Sequence, residues 1–220
     1  MVLIHTLLVG QPETVTDEGG EWRSAIFRQP ANGPVKLHRR GLVGDQVADT
    51  KNHGRPDQAV CCHPLDHYSY WNDLYERKSP DSMLVPGGVG ENWTLSGVTE
   101  RDVSVGDIFK VGSAKVQVSG PRYPCTKQER KLKLPGFYRR TIETLRTGFY
   151  LRVLTPGTVE AGDAWTLEER PHPDLTVHGI NVCGHRTFDP DFAEQALDVP
   201  ELASNWKRIL ESKLDKQRSG

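Results

Sequence analysis

Apolar and polar residues alternate in short runs through the first three-quarters of the chain, the period of half-buried strands. In Ala114-Lys115-Val116-Gln117-Val118-Ser119 the apolar side chains fall on one face and the polar ones on the other. Gly148-Phe149-Tyr150-Leu151-Arg152-Val153-Leu154 reads as a second such strand, closed by the turn pair Pro156-Gly157. The segments VSVGDIFKV (103–111) and VEAGDAWTL (159–167) repeat one pattern: Val, then Gly-Asp, an aromatic and an apolar residue. Glycine supplies φ > 0 and aspartate bonds the backbone two residues on, so each Gly-Asp predicts a turn feeding a strand. Gly44-Asp45 is a third copy, set apart because a polar stretch follows it. The opening MVLIHTLLVG reads as the first strand, since it lacks a basic flank and a small-residue cleavage site.

Helical spacing is clear once in this region. Pro64 suits a first helical position, and Leu65, Tyr68, Trp71 and Tyr75 follow three and four apart. At Arg170-Pro171-His172-Pro173 two prolines stop any strand and mark a linker. Three helical patterns come after it. Thr176 caps the first, Val177 to about Gly184. Asp189-Pro190 opens the second, with Phe192, Ala196 and Leu197 as its apolar stripe. Pro200 opens the third, with Leu202, Trp206, Ile209, Leu210 and Leu214. The expected fold is mainly β: a barrel over residues 1–170 with a few helices, then a small helical unit over 174–220. That tail is too small to fold securely alone, so it is expected to pack on the barrel or on a partner.

Composition narrows the function. Lys and Arg number 28 against 29 Asp and Glu, a net charge of -1, which argues against a nucleic-acid-coating protein. No apolar run approaches the ~20 residues of a membrane-spanning helix. Cys61, Cys62, Cys125 and Cys183 contain no C-x-x-C pair, so a reduced, cytoplasmic protein is expected. His63 and His67 are four apart, but a helix starting at Pro64 would exclude His63, so a two-histidine metal site is disfavoured.

The charge is unevenly spread. From Arg122 to Arg146 eight cations face Glu129 and Glu143, a window of +6, so the remainder carries -7. Its first residues, Gly120-Pro121-Arg122-Tyr123-Pro124-Cys125-Thr126-Lys127, follow directly on the 114–119 strand. Two prolines stiffen this loop, and Cys125 stands among cations that favour a thiolate. Such a thiolate serves as nucleophile or as soft-metal ligand, and the basic surroundings point to a small anion such as phosphate. The bland alternative is a structural cysteine in a stiff loop.

Four segments carry a family resemblance: GLVGDQVADTKNHGRPDQAVCCHP (41–64), GVGENWTLSG (88–97), VSVGDIFKVGSAKVQVSGPRYPC (103–125) and GFYLRVLTPGTVEAGDAWTL (148–167). In order, they resemble the motifs of the MOSC domain, the β-barrel shared with molybdenum cofactor sulfurases, and the tail resembles the helical unit of its YiiM-like group. The resemblance implies a bound molybdenum cofactor, a pterin dithiolene with a terminal phosphate, and Cys125 as both metal ligand and catalytic residue. It implies phosphate or pterin contacts from Arg122, Lys127 and Arg55, close backbone approach at Gly54 and Gly90, and polar contacts from His53, Asp57 and Asn92. The implied reaction is reduction of N-hydroxylated compounds, a detoxification. No flavin, haem or iron–sulfur motif is present, so electrons are expected from a separate reductase, a flavoprotein. The sequence departs from the family in His53-Gly54-Arg55-Pro56-Asp57, where Arg55 replaces a glycine, and at Trp93, expected to reshape a pocket wall. Two other chemistries stay open: a sulfur carrier using a Cys125 persulfide, and a non-catalytic cofactor-binding module. A homodimer is also left open, because such tails pack in cis or across a two-fold.

Overall fold

The structure is a computed structural model that describes residues 1–51 and 53–219. The alternating runs form one eight-stranded sheet. In chain order its strands are β1 (Leu3–Val9), β4 (Gln29–Pro30), β7 (Val60–Pro64), β8 (Trp93–Ser96), β9 (Ile108–Val111), β10 (Ala114–Pro121), β11 (Phe149–Thr155) and β13 (Trp165–Glu169). Across the sheet the order is β13-β9-β10-β11-β7-β8-β1-β4, antiparallel except for the parallel pair β7–β8. The sheet curls until its two ends meet: Leu3 bridges Ala164, and the Trp165 N–H donates to the Val2 carbonyl at 2.9 Å. Side chains from successive strands, among them Leu7, Val60, Trp93, Val116, Phe149 and Leu151, fill the barrel. A hairpin of β2 (Glu13–Asp17) and β3 (Gly20–Ser24) and a small sheet of β5 (Val35–His38), β6 (Gly41–Leu42) and β12 (Gly157–Val159) flank it.

The two repeated Gly-Asp segments are turns, as expected. Asp107 Oδ2 accepts from Ser104 N and Asp163 Oδ2 from Glu160 N, both at 2.9 Å, and the strands they feed, β9 and β13, pair with each other.

Among the described residues six α-helices complete the fold: α1 (Asp66–Leu74), α2 (Thr126–Leu132), α3 (Phe137–Thr144), α4 (Val177–His185), α5 (Pro190–Asp198) and α6 (Ser204–Arg218). Thr176 and Asp189 cap α4 and α5 as the sequence predicts. Two expected helix starts are corrected. Pro64 ends strand β7, because it still pairs with Leu95 of β8, and the Leu65 N–H bonds the Leu95 carbonyl (2.7 Å), so the helix begins only at Asp66. Pro200 does not open α6. The Ala203 N–H is bound to the Ser119 carbonyl at 2.8 Å, so the chain is pinned to β10 and turns helical only at Ser204. Helices α2 and α3 were not predicted, and together they contain most of the basic window.

The tail helices assemble a core of their own from Ile180, Cys183, Leu202, Trp206, Leu210 and Leu214. Trp206 ties it to the barrel, donating from Nε1 to the Pro121 carbonyl at 2.6 Å. A further cluster joins α1 to α2 and α3 through Tyr68, Trp71, Leu134 and Phe137. Among the described residues no helix is long and apolar enough to cross a membrane.

Candidate functional site

Strand β10 delivers the chemistry. Gly120 lies at φ +143° where the pairing with β11 slips by one residue, and Pro121 closes the strand against Phe149. Two residues past Tyr123, Cys125 is the N-cap of α2. Its Sγ accepts the Lys127 N–H at 3.4 Å, and Gln128 Oε1 accepts the Cys125 N–H at 3.2 Å. The thiol is free and half-buried. The expected stiff loop is therefore shorter than the sequence suggests, and the helix that follows fixes the sulfur. The run Thr126-Lys127-Gln128-Glu129-Arg130-Lys131-Leu132, rich in good helix formers with Gln at the third position, is the signal that was there to read.

Cys125 borders an inner cavity of about 90 Å³ and an outer cleft of about 760 Å³ that share part of their lining, including His53, Tyr123 and Tyr150. Arg122 lines the inner cavity. It is 6% exposed, its Nη2 donates to the Val89 carbonyl at 2.8 Å, and its Nη1 has no partner among the described residues. Burial opposes its charge, but Cys61, Tyr150 and Glu91 favour it at the high pH where they are ionised, so its pKa is raised. A buried guanidinium with an unpartnered donor is costly unless something anionic meets it. Burial likewise raises the Cys61 thiol and the Tyr150 phenol, so both line the cavity in their protonated forms. Burial, seconded by Arg122, lowers His53, which keeps its ring neutral at the junction of the two spaces.

The other expected residues fall into two groups. Lys127, Gly54 and Gly90 line the inner cavity, and Arg55 borders the outer cleft. Lys127 Nζ donates to the Arg23 carbonyl at 3.1 Å. At Gly90 (φ +77°) a Cβ would collide with Ile26, so a bare backbone forms that wall. Asn92 also touches the cavity, but its amide is engaged by the protein: Oδ1 accepts from Cys61 N (3.1 Å), and Nδ2 donates to Asp45 (3.0 Å) and the Leu8 carbonyl.

Two expectations are corrected. Asp57 lines neither space; its Oδ2 accepts from the N–H and hydroxyl of Ser204 and so caps α6 from across the fold. Trp93 forms no pocket wall, because it is fully buried in the barrel against Trp165. His63 and His67 are 5.2 Å apart between ring centroids, with His67 held by Glu100 at 2.8 Å.

The third Gly-Asp is a foundation of the site. Asp45 accepts from Gly10 N, from Arg28 Nε and Nη2 at 2.7 and 2.9 Å, and from Asn92 Nδ2. Arg28, which lines the inner cavity, is thereby neutralised, whereas Arg122 is not. Asp45→Asn should cost about 3–5 kcal/mol, because it strips the partner from a buried charge. Urea unfolding reads this directly, and a loss below about 1 kcal/mol would remove Asp45 from this role.

Nor does the basic window act as one patch. Arg130 pairs with Asp17, Arg139 and Arg140 with Glu143, and Arg146 stacks on Tyr70. Lys131 Nζ donates to the carbonyls of Ile26 and Gly87, and burial lowers its pKa to about 8. Of the eight cations, Arg122 and Lys127 reach the site. Arg28 joins them from outside the window, and Arg208, Lys213 and Lys216 come from α6.

Residues 49–166 match the MOSC domain model, and residues 185–217 match the YiiM-like, 3-alpha helix domain. Among curated relatives, the uncharacterized protein YflK of Bacillus subtilis is 34% identical over 97% of this chain and 95% of its own length. A protein named Reductase from Gibberella moniliformis is 38% identical over 74% of this chain, which spans 28% of that protein. The crystal structure of YiiM from Geobacillus stearothermophilus is 33% identical, with a TM-score of 0.80 over 97% of this chain and 100% of that one.

Proposed function

The chain belongs to the MOSC-domain family, in the group with a YiiM-like helical tail, and from that premise we propose that it is a molybdenum cofactor-dependent reductase of N-hydroxylated compounds. The observation that carries the reading is Cys125 on the wall of the same cavity as Arg122, whose buried Nη1 lacks a partner among the described residues. A soft thiol and an unsatisfied cation side by side suit a metal held by sulfur within an anionic group. These residues fit the cofactor. The relative named a reductase supports the redox class.

The overall change balances as R–NHOH + 2 e⁻ + 2 H⁺ → R–NH₂ + H₂O. When bound, the cofactor supplies a two-electron redox centre at molybdenum. Cys125 Sγ holds the metal, and the α2 backbone holds the sulfur. Arg122 Nη1 and Lys127 meet the anionic part of the cofactor, and the bare backbone at Gly90 lets it lie close. His53, neutral at the mouth of the cavity, accepts or releases a proton at its ring nitrogen. The protonated Cys61 and Tyr150 add no negative charge to a cavity that takes an anion. Electrons come from a separate reductase, a flavoprotein.

The test is elemental analysis of protein purified from a host that makes the cofactor, with turnover of a hydroxylamine under an artificial donor. Roughly one molybdenum per chain and amine formation are expected. Metal-free protein from such a host would sink the reading, and a reducible +32 Da adduct on Cys125 without metal, a persulfide sulfur, would replace it with sulfur carriage.

A further inference from the structure

Helix α6 turns one face inward and another toward the cleft. Trp206, Leu210 and Leu214 are buried in the tail core. Arg208, Ser212 and Lys216, four apart, form a row that borders the outer cleft, and Asn205, Ile209 and Lys213 form the next row, also four apart. Cys125 and Tyr123 border the same cleft.

The cations of these rows differ from their neighbours on the helix. Arg218 is paired with Glu194 at 2.7 Å, and Lys207 reaches the Leu197 carbonyl. Among the described residues, Arg208, Lys213 and Lys216 make no ion pair with a carboxylate. Glu211 and Asp215 line a neighbouring depression that Arg208 and Lys216 also border, and neither acid lines this cleft. Arg208, Lys213 and Lys216 therefore border one cleft, with Lys213 Nζ also 5.7 Å from the Phe188 ring and Asp49 as the carboxylate on the same lining.

Tyr123 supplies the second half. Its ring is held by His185 and Trp206, at 5.5 and 6.2 Å between centroids, yet the residue is 40% exposed. A tyrosine braced on one side and open on another is a stacking platform for a flat heterocycle. A platform beside the thiol and a cationic rim on α6 match a ligand that is aromatic at its reacting end and multiply anionic at the other. A phosphate fits three cations, one of them an arginine fork, better than a single carboxylate does.

We propose that the outer cleft takes its N-hydroxylated substrate as a nucleoside monophosphate, its base on Tyr123 and its phosphate on Arg208, Lys213 and Lys216. This rests on the N–O reductase reading above and adds the substrate class. The competing use of the α6 cations is to hold the phosphate of the cofactor itself.

The experiment is calorimetric titration of molybdenum-loaded protein with adenosine 5′-monophosphate and with adenosine, in the wild type and in an Arg208→Ala/Lys216→Ala variant. Molybdenum content is measured on each sample. The monophosphate is expected to bind about tenfold more tightly than adenosine to the wild type, with the margin shrinking as salt is added. In the variant the ratio is expected to approach one while molybdenum content stays at the wild-type value. Equal binding of the two probes by loaded wild type would overturn this inference and leave the reductase reading standing. An undiminished ratio in the variant would overturn it too, and so would a variant that loses its molybdenum, which would give these cations to the cofactor. A wild type without molybdenum would instead overturn the reading beneath it.

Discussion

Cys125→Ser protein should fold like the wild type and carry almost no molybdenum. Serine is among the preferred N-cap residues, so its hydroxyl replaces Sγ as acceptor for the Lys127 N–H and helix α2 keeps its start. Stability should stay within about 1 kcal/mol of wild type for that reason. What disappears is the soft sulfur, which a hydroxyl does not replace for a metal that prefers sulfur. Changing a group that merely supports a metal ligand costs about 10–100-fold in affinity or activity, and changing the ligand itself should cost more. Elemental analysis should therefore find less than about a tenth of the wild-type metal, with reduction of hydroxylamines at background. Full molybdenum occupancy in a folded Cys125→Ser protein would remove Cys125 as the ligand. The conservative geometry of the change separates this outcome from unfolding, which a cavity-forming substitution would not do.

Trp206→Ala should produce the largest loss of stability and should reach the site indirectly. The side chain is fully buried, packs on His185 and Tyr123, and donates to the Pro121 carbonyl. Gly184 is glycine because a Cβ there would collide with the indole, and Gly120 lies close to its edge. Truncation leaves a large cavity and an orphaned carbonyl, at about 3–5 kcal/mol, or roughly 10 °C in melting temperature for a chain of this size. Pro121 immediately precedes Arg122, so the same change should loosen the segment that carries Arg122 and Cys125 and lower metal content in the fraction that folds. Trp206→Phe isolates the hydrogen bond. It should cost only about 1–2 kcal/mol, since most of the packing remains. Alanine and phenylalanine variants that melt together would show that the indole does not anchor the tail to the barrel.

The legible and the hidden parts of this protein divide by the range of the interactions involved. Period-two alternation marked β10 and β11, and the Gly-Asp turns marked the starts of β9 and β13, because strand faces and tight turns are written in adjacent residues. Thr176 and Asp189 were readable as helix caps for the same reason. Pro200 was misread because the Ala203–Ser119 hydrogen bond, which delays α6, joins residues 84 positions apart. Pro64 was misread because its pairing with Leu95 of β8 comes from outside the local sequence. Asp57 looked like a ligand contact in its motif and is the cap of α6 in the fold.

The candidate site shows the same division. Cys125, Arg122 and Lys127 lie within six residues, and their order on a Pro-braced strand end was enough to place a thiol among cations. Charge counting then overreached. Most of the window's cations are spent on Asp17, Glu143, Tyr70 and backbone carbonyls, partners that no count of neighbours reveals. Further cations come from residues far away in sequence, Arg28 at the inner cavity and Arg208, Lys213 and Lys216 at the outer cleft. The sequence by itself determined the fold class, the family and the place of the candidate thiol beside Arg122, since each is carried by short-range pattern and residue chemistry. Only the tertiary structure decided which charges are neutralised and which are left facing a cavity, because a charge is satisfied by whatever lies within a few ångströms in space, wherever that residue stands in the chain.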